Sequence, residues 1–216
     1  MGLARGLERR LEGLVDGLAS RLFKGRIHPV ELGTRIVRAA DLAVFDTPAG
    51  PGAPNAFRVV MGGDSEPPHA VAAAERALEE VLGEAAAEQG WRLEGPPTVR
   101  ISFGPGPPAA VSVEAGIEAG VIEPFATLEG PDGQLLPIGM NRVVIGRSKS
   151  ADVRIPGGDV SRRHALLWRE AGSLWLADLG SSNGTFVNGT RLAETVSLED
   201  GDHIFLGGTA LVFRRL

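Results

Sequence analysis

A serine, two arginines and a histidine occupy four successive positions in "DVSRRHALLWRE", residues 159–170. This set is compatible with a nucleophilic Ser/His pair, a basic surface for nucleic acid, or a group of donors for a phosphate. As a nucleophile, Ser161 would need His164 as its base, with Asp178 or Asp159 orienting the ring. Residues three positions apart on a loop rarely align in this way, and Ser161 is not embedded in the hydrolase motif GxSxG.

The composition argues against several other classes of function. The sequence contains no cysteine, which excludes disulfides and thiolate metal sites, and its four histidines lie far apart. Walker, HExxH and kinase motifs are absent, so neither a metal nor another cofactor is expected. A net charge of −5 with 5% aromatic residues argues against nucleic-acid binding. No stretch approaches the roughly 18 apolar residues of a membrane span, so a cytoplasmic protein is expected.

Apolar periodicity predicts helices in the first part of the chain. Leucines recur every three or four residues between Leu3 and Leu22, and a second helix is expected over 29–43. The side chains expected to face inward in the second helix are Val30, Ile36, Val37 and Leu42. Residues 46–56 are interpreted as a loop. Residues 69–90 give the strongest helix signal, because they are rich in Ala, Leu and Glu and end at Gly90.

Short apolar runs between and after these helices are typical of strands. They are "FRVVMG", "WRLEG" and "TVRISF". Residues 1–103 are therefore interpreted as a small α+β domain. Residues 104–124 begin with alternating Gly and Pro and lose the periodicity, which is typical of a linker.

Residues 125–216 change to many short, alternating apolar runs separated by turn residues, which predicts an antiparallel β-sandwich. The predicted strands are "LLPI", "RVVIG", "DVRI", "HALLWRE", "SLWLADL", "TFVNG", "HIFLG" and "TALVFRR". Asn188-Gly189 is a strong hairpin signal, because both central residues of a type I′ turn need positive φ. In such a fold the strands are rigid and the loops at one end carry function.

Three loops of this second part resemble those of the forkhead-associated (FHA) domain, a phosphothreonine-binding β-sandwich. The matching motifs, in the family's order, are Gly146-Arg147, then Ser161-x-x-His164, then Ser182-Asn183-Gly184-Thr185 with Asn188-Gly189. The resemblance implies that the phosphopeptide is bound by Arg147, Ser161, Arg162, Ser182 and Asn183. It implies that the site is supported structurally by Gly146, His164, Gly184, Thr185, Asn188 and Gly189.

The chemistry of these residue types agrees with the resemblance. A phosphate monoester carries about −1.5 to −2 charges near pH 7 and needs several converging donors. The forked guanidinium of Arg147 suits phosphate geometry, and Ser161 can donate a hydroxyl hydrogen bond. The Asn183 carboxamide can both donate to and accept from the backbone of a bound peptide.

The first part resembles the N-terminal domain of FhaA-like bacterial proteins in "LFKGRIHPVEL", "APNAFRVV" and "EQGWRL". Together the resemblances imply a non-catalytic adaptor in Ser/Thr protein-kinase signalling. Its partner would be a phosphothreonine-containing protein, either a kinase or a kinase substrate, and the N-terminal domain would bind another partner or oligomerise. The alternative is a structural or oligomerising scaffold whose FHA domain makes phosphate-independent contacts. No membrane contact is expected, although residues 1–38 contain eight basic and four acidic side chains.

Overall fold

The computed structural model describes residues 27–216, and the helix predicted between Leu3 and Leu22 lies outside them. The chain divides into two compact units. The first comprises residues up to Phe45 with Gly52–Ala86 and Leu93–Gly120, and the second comprises Asp46–Pro51, Ala87–Arg92 and Val121–Leu216. The second unit thus includes two short segments from the first half of the sequence.

Between residues 27 and 120 the structure describes two helices and five strands. They are α1 (Pro29–Leu42), β1 (Phe45–Thr47), β2 (Gly50–Gly52), β3 (Ala56–Gly62), α2 (Pro68–Gln89), β4 (Thr98–Gly104) and β5 (Val111–Gly116). Strands β1 and β2 pair with each other, so the predicted loop 46–56 contains a short hairpin. Residues 91–95, predicted as a strand, form only a single bridge at Arg92.

Helix α1 begins at a proline because the first turn of a helix does not need the missing N–H. The Nδ1 atom of His28 caps this end by accepting a hydrogen bond from Val30 N at 3.3 Å. Ile36 is fully buried, as predicted. The prediction for Leu42 is wrong: it is the last residue of the helix, and its side chain is 78% exposed.

Helix α2 confirms the strongest helix signal, and Gly90 follows its end with φ +66°. Two glutamates on this helix, one turn apart, contact strand β4. The carboxylate of Glu75 accepts a hydrogen bond from Ile101 N at 2.8 Å, and that of Glu79 accepts one from Val99 N at 3.0 Å. The amides of Val99 and Ile101 are therefore hydrogen bonded to side chains of helix α2.

Strands β4, β3 and β5 form a three-stranded sheet in that order. Strand β3 runs parallel to β4 and antiparallel to β5. The segment 104–124, predicted to lack regular structure, thus contains a strand. Its alternating Val111, Val113 and Ala115 are obscured in the sequence by the glycines and prolines before them.

Asn55, within the "APNAFRVV" motif, ties together two chain segments in the first unit. Its side chain is fully buried, and its Nδ2 donates to the carbonyl oxygens of Pro96 and Glu118 at 2.9 and 2.8 Å. Its Oδ1 accepts a hydrogen bond from Glu118 N at 3.0 Å. Because one carboxamide satisfies three backbone groups, an apolar residue would leave those groups unpaired.

The second unit contains a β-sandwich. Its strands are β6 (Ala126–Glu129), β7 (Leu135–Ile138), β8 (Arg142–Gly146), β9 (Val153–Arg154), β10 (Ala165–Glu170), β11 (Ser173–Asp178), β12 (Thr185–Val187), β13 (Thr190–Arg191), β14 (Val196–Ser197), β15 (His203–Leu206) and β16 (Thr209–Arg215). All eight predicted strands are present, and the sequence reasoning missed β6, β13 and β14. One sheet has the order β14-β11-β10-β8-β9 and the other β13-β12-β15-β16-β6-β7.

Apolar residues from both sheets form one core, which includes Leu128, Ile145, Leu167, Leu176 and Phe213. Pairing is antiparallel throughout the two sheets except between β8 and β9, which run parallel. The predicted Asn188-Gly189 hairpin is confirmed, since these residues have φ of 50° and 81° and separate β12 from β13. Within residues 27–216, no helix is both long enough and apolar enough to cross a membrane.

Candidate functional site

The five predicted binding residues line one open cavity of about 470 Å³ at the loop end of the sandwich. They come from three loops, which follow β8, precede β10 and follow β11. The lining residues are Arg147, Gly158, Asp159, Val160, Ser161, Arg162, Arg163, Ser182 and Asn183. The structure therefore brings together residues separated by as many as 36 positions in the sequence, while their binding roles remain predictions.

Backbone hydrogen bonds join the first two loops. Arg147 N donates to Ser161 O at 3.0 Å, and Ser148 N donates to Arg162 O at 3.2 Å. Gly146 makes this approach possible, because a Cβ there would lie 2.3 Å from Arg162 O. Any other residue at 146 would force apart the loops that carry Arg147 and Ser161.

The Ser161 hydroxyl links the second and third loops. Its Oγ accepts a hydrogen bond from Ser182 N at 3.0 Å. A hydroxyl has one proton and can accept as well as donate, so this contact leaves the proton available for a ligand. Ser161 is half-buried and lines the cavity, which places that donor at its surface.

His164 is fully buried behind the cavity and braces its loops. Its Nδ1 accepts a hydrogen bond from Ser161 N at 3.0 Å, and its Nε2 lies 3.1 Å from Gly184 O. Because Ser161 N donates to Nδ1, that nitrogen carries no proton. Nε2 faces a carbonyl oxygen, which assigns the neutral tautomer with the proton on Nε2. Since Nδ1 faces the amide of Ser161 and not its hydroxyl, the ring is not arranged as a base for that serine.

Asp178 organises the third loop. Its Oδ2 accepts hydrogen bonds from the Ser181 and Thr185 hydroxyls, each at 2.6 Å, and its Oδ1 accepts one from Ser181 N at 2.8 Å. The Ser181 hydroxyl oxygen in turn accepts a hydrogen bond from Gly184 N at 2.9 Å. The Thr185 hydroxyl is thus one of the donors that hold Asp178, a residue that the sequence suggested only as the orienting acid of a Ser/His pair.

The environment of Asp178 favours the charged form of its carboxyl group. Burial acts to raise its pKa, but the hydrogen bonds from Ser181 and Thr185 outweigh burial and hold the pKa below its usual value. The Nε2 atom of the neutral His164 ring lies 3.9 Å from Oδ2.

Asn183 is exposed at the cavity wall. Its Nδ2 donates to Asp159 O at 2.9 Å, which fixes the orientation of the carboxamide. Gly184, next in sequence, has φ +83°, and a Cβ there would lie 2.8 Å from Arg191 Nε. Glycine at 184 thus permits the turn that presents Asn183.

The cavity is predominantly cationic. Three guanidinium groups, those of Arg147, Arg162 and Arg163, line it together with the single carboxylate of Asp159. The Arg163 guanidinium donates a hydrogen bond to Pro48 O at 2.6 Å. Pro48 lies in Asp46–Pro51, one of the two short segments of the second unit that come from the first half of the sequence. This charge balance and the hydroxyl donor suit an anionic ligand.

Sequence reasoning missed one pair of residues that supports the first loop. Asp152, at the end of the loop that follows β8, makes a bidentate salt bridge with Arg92. Both are ordinary charged residues separated by 60 positions, so no local signal connects them. Within the part of the chain that the structure describes, no group of three or more His, Cys, Asp or Glu side chains could hold a metal ion.

Comparisons with known families assign both parts of the chain. Residues 143–207 match the FHA domain family, and this range contains all five predicted binding residues. Residues 5–106 match the family described as FhaA, N-terminal domain.

Two curated proteins of Mycobacterium tuberculosis illustrate the relationship. The chain is 42% identical to the FHA domain-containing protein FhaA over 71 residues, which is 33% of this chain and 13% of FhaA. It is 36% identical to the ABC transporter ATP-binding/permease protein Rv1747 over 132 residues, covering 58% of this chain and 15% of Rv1747. The chain thus spans a small part of the length of these relatives.

Among solved structures, the crystal structure of the FhaA FHA domain complexed with the intracellular domain of Rv3910 is 36% identical to this chain. The match covers 41% of this chain and 99% of that one, with a TM-score of 0.39. Because family matches cover both the loop residues of the sandwich and the first part of the chain, the chain contains an FhaA N-terminal domain followed by an FHA domain.

Proposed function

We propose that the cavity binds a phosphothreonine peptide on a partner protein and that the chain acts as a non-catalytic signalling adaptor. One observation carries the proposal: the Ser161 hydroxyl, whose proton is available, lines the same cavity as the guanidinium groups of Arg147 and Arg162. A doubly charged phosphate requires this combination of fixed cations and a neutral donor.

Each of the five residues has a defined part in the proposed complex. Arg147 and Arg162 supply charge-assisted hydrogen bonds to phosphate oxygens, and Ser161 donates its hydroxyl proton. Ser182 adds a hydroxyl from the facing loop. Asn183 uses the carboxamide oxygen, left over when Nδ2 bonds to Asp159 O, to accept a backbone N–H of the peptide.

Relatives support a phosphorylated protein as the ligand. One solved FHA structure belongs to a study of phosphothreonine-dependent FHA domain interactions, and it is 35% identical to this chain. Another is M. tuberculosis EmbR in complex with a low-affinity phosphopeptide, at 32% identity. By analogy, the partner of this chain is a substrate or member of a Ser/Thr protein-kinase system. Its phosphorylation would create the charge that the loops recognise.

We further propose that the first part of the chain forms a separate small α+β domain over residues 1–103, joined through 104–124 to an FHA domain over 125–216. Helices α1 and α2 with strands β3 and β4 support the α+β class of this domain, and strand β5, within 104–124, extends its sheet. In an adaptor, this first domain would bind a second protein or oligomerise. Phosphate-dependent assembly would then bring the two partners together in the cytoplasm.

The proposal is tested by titrating the full chain with a phosphothreonine peptide library, with unphosphorylated and phosphoserine libraries alongside. Binding that requires the phosphothreonine is expected. Arg147→Ala should weaken binding by about 2 kcal/mol, roughly thirtyfold in Kd. Lys149→Ala is the matched control, because Lys149 is exposed in the same loop but does not line the cavity. Equal affinity for phosphorylated and unphosphorylated peptides would favour the alternative, a phosphate-independent scaffold.

A further inference from the structure

An ion pair within the second unit lies directly behind the loop that carries Arg147. The Nη1 and Nη2 atoms of Arg92 donate to the two carboxylate oxygens of Asp152, each at 2.9 Å. The side chains are only 11% and 20% exposed. A bidentate salt bridge that is largely shielded from water holds both side chains in one geometry. A salt bridge with a single hydrogen bond on an exposed surface does not.

Both members of the pair are also attached to the backbone of strand β8. Arg92 Nη1 donates to Arg142 O at 3.0 Å, and Asp152 Oδ2 accepts a hydrogen bond from Val144 N at 2.8 Å. The guanidinium of Arg92 is thus fixed to strand β8 and to the end of the adjoining loop at the same time.

The loop over 147–152 is therefore held at both ends. At its beginning, Arg147 N and Ser148 N donate to the carbonyl oxygens of Ser161 and Arg162. At its end, Asp152 is held by Arg92. A loop this short has few ways to adjust, so a shift of Asp152 alters the place from which the Arg147 side chain enters the cavity.

We infer that Arg92 is a positioning residue for the phosphate site, acting through Asp152 on the orientation of Arg147. This inference rests on the proposed function. Arg92 itself does not line the cavity and lies outside the residues that match the FHA family. The phosphopeptide site would then depend on the segment Ala87–Arg92 as well as on the sandwich loops.

The test uses the full chain and the phosphothreonine peptide that binds best in the library titration. Arg92→Gln removes both the positive charge and the guanidinium group. Arg92→Lys retains the charge but cannot make the bidentate salt bridge to Asp152. Each variant should raise Kd for the phosphorylated peptide by about fivefold or more. The Arg147 backbone amide should also shift in NMR spectra of Arg92→Lys, which keeps the test valid if Arg92→Gln folds poorly.

Two control variants separate positioning from other effects. Arg154→Gln removes one positive charge from an exposed residue of β9 outside the cavity, and it should leave Kd unchanged. Asn55→Ala removes a buried carboxamide that makes three hydrogen bonds within the first unit, so it weakens the fold without touching Asp152 or the segment Ala87–Arg92. It should lower stability but leave the Kd of the folded protein unchanged.

The decisive comparison is a double-mutant cycle between Arg92 and Arg147. If Arg92 acts by placing Arg147, Arg92→Lys should have no further effect on Kd once Arg147 is alanine. Additive effects, or a wild-type Kd in both Arg92 variants, would overturn the inference while leaving the proposed function intact. A wild-type chain that binds no phosphorylated peptide would refute the proposed function and, with it, this role for Arg92.

Discussion

The hydroxyl oxygen of Ser161 accepts a hydrogen bond from the backbone N–H of Ser182, 3.0 Å away. This contact joins two loops that are 21 positions apart and does not use the hydroxyl proton. With one lone pair occupied by the amide, the O–H bond is free to point toward the cavity. The same hydrogen bond thus connects the two loops and leaves the Ser161 hydroxyl proton available to a ligand.

Ser161→Ala should lower affinity for a phosphothreonine peptide by about 1–2 kcal/mol, or roughly five- to thirtyfold in Kd, because one donor is lost and Ser182 N loses its acceptor. Fluorescence anisotropy with a labelled peptide measures the change. Ser197→Ala is the control, since Ser197 is exposed on β14 outside the cavity. A Kd within twofold of the wild type would argue against a phosphate contact at Ser161.

His164→Ala should lower the free energy of unfolding by about 2–4 kcal/mol, because the buried Ser161 N and Gly184 O groups lose their partner. Urea denaturation followed by tryptophan fluorescence provides the measurement. His203, whose side chain is exposed on β15, supplies the matched control variant His203→Ala. Equal losses in the two variants would contradict a bracing role for His164.

Asp178 should make the second unit sensitive to acid. Its pKa is lower in the folded protein than the ordinary value of 3.8, so its stabilising contribution is complete above that value. The contribution is lost as pH falls below 3.8 and through the folded pKa. Asp178→Asn should therefore be less stable than the wild type near neutral pH, and the difference should shrink in acid. Unfolding curves at a series of pH values measure this, and a pH-independent difference would refute the linkage.

The sandwich should be less stable when it is separated from the segments 46–51 and 87–92. In the full chain, the buried Arg142 guanidinium donates to Ala49 O at 2.7 Å and to Gly90 O at 3.0 Å, and it lies 5.1 Å from the Trp168 ring centre. A fragment over 121–216 removes both acceptors. It should lose about 2–5 kcal/mol of unfolding free energy relative to the same transition in the full chain.

Arg142→Met provides the corresponding control for that fragment. In the full chain the substitution should be destabilising, because two carbonyl groups lose their donor. In the fragment it should be neutral or stabilising, because it removes a charge that no longer has those acceptors. The same loss of stability in both backgrounds would show that Arg142 acts independently of the two segments.

The elements that sequence reasoning predicted well carry strong local signals. Alternating apolar residues predicted strands such as β8 and β10, and Asn188-Gly189 predicted its hairpin because few residue pairs adopt positive φ at both positions. The five candidate binding residues share a cavity because the motif spacing reflects the loops of a known fold. Their chemistry is therefore visible in the sequence, although the distances between them are not.

The elements that it missed depend on partners distant in sequence. Strand β5 is stabilised by pairing with β3, and its own sequence is surrounded by turn-forming residues. Strands β13 and β14 are two residues long, which is too short for a detectable period. Arg92 and Asp152 became recognisable as a pair only when folding placed them 2.9 Å apart.

The hydrogen bonds from β4 to Glu75 and Glu79 have a consequence for self-association. An open sheet edge can recruit a strand from another molecule, which is a common route to aggregation. Because Val99 N and Ile101 N already donate to these two carboxylates, an incoming strand would have to displace charged groups before it could pair there. At that edge, the helix protects the three-stranded sheet against uncontrolled polymerisation.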